Sequence, residues 1–177
     1  MTYLLSRGGR LALFILSLAA AGCAEEEEAQ EGCPPPPQTA ELTEAAADHA
    51  CTHVVHGPFE SVAASADPGS PGDELRNVHT AYTVALPRGQ DGHEGVSLFE
   101  PRLDATFAFF IADETSLSLL DAAGEEVCPR AVQPANSCPE IGRALFFDLR
   151  RKAPNRLLLG SAEAPEVLVI IEEIGGS

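Results

Sequence analysis

Between Asp48 and Phe59 the chain reads DHACTHVVHGPF, which places His49, Cys51, His53 and His56 within eight residues of a sequence that has five histidines in all. Imidazole nitrogen and thiolate sulfur are the donors that zinc and copper prefer, and this short segment offers both. His49, Cys51 and His53 alternate, so on a strand all three project from one face. Two imidazoles remain for folding to add: His79, on the outward row of VHTAYTVAL, and His93, in the loop GQDGHEG. The candidate ligand set is therefore His49, Cys51, His53 and His79, with His56 as a neighbour and copper or zinc as the ion. The competing reading is a group of surface histidines beside an oxidised cysteine.

Other chemistry is sparse. Asp91 and Glu94 in GQDGHEG, and Asp113 and Glu114 in ADETS, are carboxylate pairs that could act as acid and base if their environments differed. A chain with 27 carboxylates places such pairs in solvated turns by chance. No G-x-S-x-G, H-E-x-x-H, phosphate-binding or EF-hand pattern occurs, so no catalytic residue is assigned and the chain is not expected to be an enzyme.

Cys33, Cys128 and Cys138 join Cys51 as an even set, which in an exported chain reads as two disulfides with three possible pairings. Cys128 and Cys138 flank PRAVQPANS, a proline-containing stretch between two strand candidates. Their closeness favours a Cys128–Cys138 bond closing a short loop, worth about 2–3 kcal/mol on the chain-entropy description. Cys33 with Cys51 follows by elimination. That pairing competes directly with a thiolate ligand at Cys51.

The elements that would position these groups follow an export segment. Arg7 and Arg10 precede the apolar run Leu11 to Ala20, too short to span a bilayer, and small residues then lead into Cys23. The run Ala-Ala-Gly-Cys resembles the lipobox of bacterial lipoproteins, which implies an acylated Cys23 as the mature N-terminus. An Ala-x-Ala-like site at Ala19 to Ala21 leaves open ordinary cleavage with Cys23 as a thiol. Several acyl chains hold a protein far more firmly than one, at about 0.8 kcal/mol per buried methylene. Ala24, in place of Asp after the cysteine, favours the outer membrane of a bacterial envelope by analogy with the best-known sorting rule.

Removal of Arg7 and Arg10 leaves the mature chain two charges below the −16 of the full sequence. Such a surface repels phosphate backbones and excludes nucleic-acid partners. Residues 24–48 hold eight acidic residues, no basic one and four consecutive prolines, the composition of a stiff, disordered spacer. Within it, AELTEAAADHA is rich enough in alanine and glutamate for a short helix if a partner supports it.

From Phe59 the period becomes two. Val78, Thr80, Tyr82, Val84 and Leu86 share one face, Phe107, Phe109 and Ile111 another, and Phe110 on the opposite side marks a strand buried on both faces. ALFFDL, RLLLG and EVLVIIEE follow, giving eight or nine short strands and an all-β antiparallel sandwich. The order TFAFFIADETSLSLLDAAGEEV, ALFFDLRRKAPNRLLLG and EVLVIIEE resembles the pre-peptidase C-terminal domain over roughly Gly95 to Glu173. That resemblance implies a jelly-roll module and a secreted setting, with no peptidase attached. The expected organisation is a signal peptide over 1–22, a tether over 23–48 and a β-sandwich over 49–177. Two functions fit: a non-catalytic binding or structural module on a membrane-anchored envelope lipoprotein, or a lipoprotein that binds copper or zinc.

Overall fold

The computed structural model describes residues 32–161 and 163–176. The expected signal peptide, Cys23 and the acidic block through Glu31 lie outside the described residues. One helix, α1 (Glu44–His56), precedes β1 (Phe59–Ala63), β2 (Ala81–Ala85), β3 (His93–Phe99), β4 (Ala105–Ile111), β5 (Thr115–Leu120), β6 (Glu126–Val127), β7 (Ala131–Pro134), β8 (Arg143–Leu149), β9 (Asn155–Ser161) and β10 (Glu166–Gly176). None of the described helical residues forms a span long and apolar enough to cross a membrane.

The strands form two sheets, β1-β2-β10-β4-β8-β7 and β3-β9-β5-β6. The all-β sandwich holds, with ten strands instead of eight or nine. Pairing is antiparallel except between β1 and β2, which run parallel. Parallel neighbours need a crossover, and residues 64–80 supply it, touching the edge of β3 through the Ser65–Val96 and Glu74–Leu98 bridges.

Alternation along the strands builds two apolar layers. Tyr82, Val84, Phe107, Phe109, Phe147, Val169 and Ile171 point between the sheets and meet Phe99, Leu119 and Leu157. The opposite face of the larger sheet carries Ala81, Ala108, Phe110, Ala144, Phe146 and Ile170, and Ala50 of α1 packs into this second layer. β4 is buried on both faces as its sequence indicates. The small residues of the second layer let a helix approach the sheet closely.

Helix α1 starts at Thr43, whose hydroxyl accepts the Ala46 N–H at 3.2 Å, and carries Glu44 in its first turn. It ends at Gly57, whose φ of 71° suits a residue without Cβ and whose N–H donates to the His53 carbonyl. The folded unit therefore begins before residue 49, and the expected boundary at 48 falls inside the helix. The segment before α1 is also held, which departs from a disordered tether over its described part. Gln133 donates to the Ala40 carbonyl and accepts the Leu42 N–H, both at 2.6 Å, while Arg130 binds the Thr39 carbonyl and Asp148.

All four cysteines among the described residues form disulfides, but the expected pairs are wrong. The bonds are Cys33–Cys128 and Cys51–Cys138. The stretch between Cys128 and Cys138 is strand β7, not a closed loop. Its four residues alone extend about 13 Å, beyond the ~7 Å limit for bridged Cα atoms. Each cysteine instead bonds to the N-terminal segment lying alongside. Closing separations of 95 and 87 residues is worth about 4.5 kcal/mol for either bond taken alone, more than a local link.

Candidate metal centre

Position along α1 decides which of the sequence candidates can meet. His49 and His53 are four residues apart and share a helical face. Cys51 lies about 200° round the helix from His49 and bonds to Cys138, which removes its thiolate from the ligand set. The expectation of a strand carrying all three side chains is thus corrected. Helix and strand agree only on the His49/His53 pair, because a spacing of four suits both periods.

The facing sheet supplies the rest. β2 and β10 pair with Ala81 opposite Ile170. Two residues back from Ala81 is His79, and two residues on from Ile170 is Glu172, and the His79 N–H donates to the Ile171 carbonyl at 2.8 Å to extend the ladder. His79 adopts φ 58°, a left-handed conformation costing a histidine about 1–2 kcal/mol. Glu172 shares a face with Leu168 and Ile170 and points under α1, where its side chain is 3 % exposed.

Four groups converge there. Glu172 Oε2 lies 3.0 Å from His49 Nδ1 and 2.5 Å from His79 Nδ1, and Oε1 lies 3.5 Å from His53 Nε2. The imidazole centroids are 4.6–5.8 Å apart, and one donor atom from each residue fits within 4.8 Å of every other. The His49 and His79 side chains are 50 % and 44 % exposed, so they form the outer wall above a floor of His53 and Glu172.

The floor carries the decisive detail. His53 Nδ1 donates to the Gly57 carbonyl at 2.8 Å, so in neutral His53 the Nε2 lone pair faces the carboxylate. Neither His53 Nε2 nor Glu172 Oε1 has a hydrogen-bond partner, and both are buried. Two buried lone pairs facing one another are costly unless a proton or a cation lies between them. Two ligands bound tetrahedrally at ordinary zinc distances stand about 3.3–3.5 Å apart, as His53 Nε2 and Glu172 Oε1 do, whereas His49 and His79 sit at hydrogen-bonding distance from Oε2 and would have to turn from it to ligate. The bond from His53 Nδ1 to a backbone carbonyl is also the usual way a ligating imidazole is oriented.

No protein-family model and no curated protein matches this chain. Chemistry at the site therefore rests on its own atoms. Three imidazoles and one carboxylate suit zinc, copper and other first-row divalent ions better than magnesium or calcium, which take oxygen donors.

His56 is exposed on the last turn of α1 and stays outside the cluster. His93 opens β3 in the other sheet and does not join. Asp91, Glu94, Asp113 and Glu114 are exposed and contribute nothing here. Sequence reasoning missed Glu172, reading EVLVIIEE as a strand with a polar end. The available signal was its place on the apolar row of Leu168 and Ile170, where a carboxylate needs a buried counter-charge.

Proposed function

We propose that this chain is a lipid-anchored protein of a bacterial cell envelope whose β-sandwich binds one divalent transition metal, zinc or copper, without catalysing a reaction. The observation that carries the metal reading is the unpartnered, buried pair His53 Nε2 and Glu172 Oε1 beneath His49 and His79. The anchor reading draws on the apolar signal core, the Ala-Ala-Gly-Cys run and the acidic spacer. The resemblance to the pre-peptidase C-terminal module fits the same secreted setting. That resemblance rests on the sequence order of an aromatic strand, a Leu-x-Leu strand and an Asp-x-x-Gly turn over TFAFFIADETSLSLLDAAGEEV.

The test uses the full chain, exported and purified from membranes in mild detergent without a histidine tag. Metal analysis after zinc or copper loading and dialysis should return about one equivalent. Glu172→Gln and His53→Ala should each lose it while keeping the β-type circular dichroism spectrum. Protein that folds normally and retains no metal would sink this reading, leaving His53 and Glu172 joined by a proton in a structural ion pair.

A further inference from the structure

We propose that the Cys51–Cys138 disulfide governs metal retention: the site holds its ion while the bond is closed and loses affinity when it is reduced. This inference rests on the metal reading above. It begins with how the four ligands are distributed. His79 and Glu172 belong to the sheet, whereas His49 and His53 ride on α1, with Cys51 between them.

The noncovalent hold on α1 is slender. Ala47, Ala50 and His53 are its buried residues, and Val55 is 65 % exposed. Thirteen residues are marginal for an isolated helix, so α1 depends on what fastens it to the sheet. Gln133 holds residues 40 and 42 before the helix and β1 pairs with β2 just after it, while Cys51–Cys138 is the covalent link along its length, joining the middle of the helix to the connection between β7 and β8. Cys33–Cys128 joins the chain well ahead of the helix, so it limits how far α1 can drift without setting its face toward Glu172.

Opening the bond takes two electrons and two protons from a dithiol, which closes to its own disulfide as Cys51 and Cys138 become thiols. The freed Cys51 thiol points away from the His49 face and does not replace a lost imidazole. With α1 released, the local concentration of His49 and His53 at Glu172 falls, and with it the affinity. Linkage requires the converse: bound metal holds α1 down and protects the Cys51–Cys138 bond from reduction.

Zinc affinity of the full chain, measured by competition with a chromophoric chelator, tests this. Cys51→Ser combined with Cys138→Ser should weaken binding at least about tenfold, whereas Cys33→Ser with Cys128→Ser should change it by less than about threefold. In oxidised wild-type protein, zinc should slow reduction of Cys51–Cys138 by a weakly zinc-binding phosphine, tris(2-carboxyethyl)phosphine, and leave Cys33–Cys128 unaffected, read by mass spectrometry of alkylated thiols. Should the Cys51/Cys138 double variant fail to fold, this protection measurement in wild type decides. Oxidised wild-type protein that binds no zinc removes the metal reading itself. Zinc that binds wild type yet leaves both bonds equally reducible overturns the coupling alone.

Discussion

At the scale of single residues, Glu172 and His79 show how a site can be set against local stability. A buried carboxylate costs several kcal/mol unless its charge is met, and three imidazoles surround this one. His79 holds an unfavourable φ of 58° where glycine would rest without strain. His79→Gly should therefore cut metal affinity at least about tenfold, while in chelator-treated protein the strain relieved offsets the lost contact to Glu172 and the thermal midpoint shifts little. Loss of both stability and affinity would mean that the imidazole serves packing. Affinity of the intact site should also fall as pH is lowered, since a protonated ring cannot ligate. Zinc titrations between pH 8 and pH 5 would reveal this, and a flat profile would contradict imidazole ligation.

Tyr82 offers a separate residue-scale probe. Burial pushes its phenol above the ordinary tyrosine range, against the lowering effect of the hydrogen bond it accepts from the Asn77 N–H. The folded state therefore favours the neutral phenol more than the unfolded chain does. Stability from this source is present below about pH 10 and declines as pH rises from there through the folded value. The sequence has two tyrosines and no tryptophan, and Tyr3 lies in the proposed signal segment, so a processed chain would carry one phenol. Its phenolate absorbance should appear above the free-tyrosine range and coincide with loss of β structure. A midpoint at the free value in folded protein would contradict the burial.

Among the elements, α1 and β7 are where local pattern and structure part company. α1 carries sound local signals: the Thr43 cap, the alanine-rich first turns and the stop at Gly57. The histidine segment reads equally as a strand, because residues four apart share a face under either period. Cys51 separates the two readings, and only the helix turns it toward Cys138. β7 misleads in the other direction, since its proline sequence resembles a loop while its backbone pairs with β8 from Ala131 to Pro134. Non-reducing peptide maps should therefore recover Cys33 linked to Cys128 and Cys51 linked to Cys138. A fragment joining Cys128 to Cys138 would contradict the strand between them. Phe110, fully buried in the layer beneath the helix, gives a packing test. Phe110→Ala should cost about 3–5 kcal/mol in denaturant unfolding, and a loss under about 1 kcal/mol would show that layer to be loosely filled.

For the whole molecule, the sandwich presents the His49–His53–His79–Glu172 face on the side where its N-terminal segment enters. Residues 39–42 and α1 lie on the same layer of the larger sheet, and both disulfides fasten this N-terminal stretch to the ends of β7. The proposed anchor at Cys23 would thus hold the domain by the segment that also carries two of the proposed ligands, His49 and His53. Labelled fatty acid should enter the wild-type protein and not the Cys23→Ser variant. Wild-type protein recovered free and unacylated would remove the anchor.

The β-sandwich was legible in the chain because strand periodicity is a local property: alternate residues must face alternate sides, whatever they later meet. β4 and β10 could be drawn from their side-chain order alone, including the second buried face marked by Phe110. The presence of histidine chemistry was legible for the same reason. Its fourth member was not, since Glu172 lies 119 residues beyond His53 and reaches it only through the β2–β10 register and the docking of α1. The cysteine pairing failed on similar grounds. Nearness in sequence favours a short loop, but an extended strand separates its ends and brings each to a distant partner. Periodicity is written residue by residue, whereas ligand sets and crosslinks depend on which surfaces pack together, and tertiary structure alone decides that.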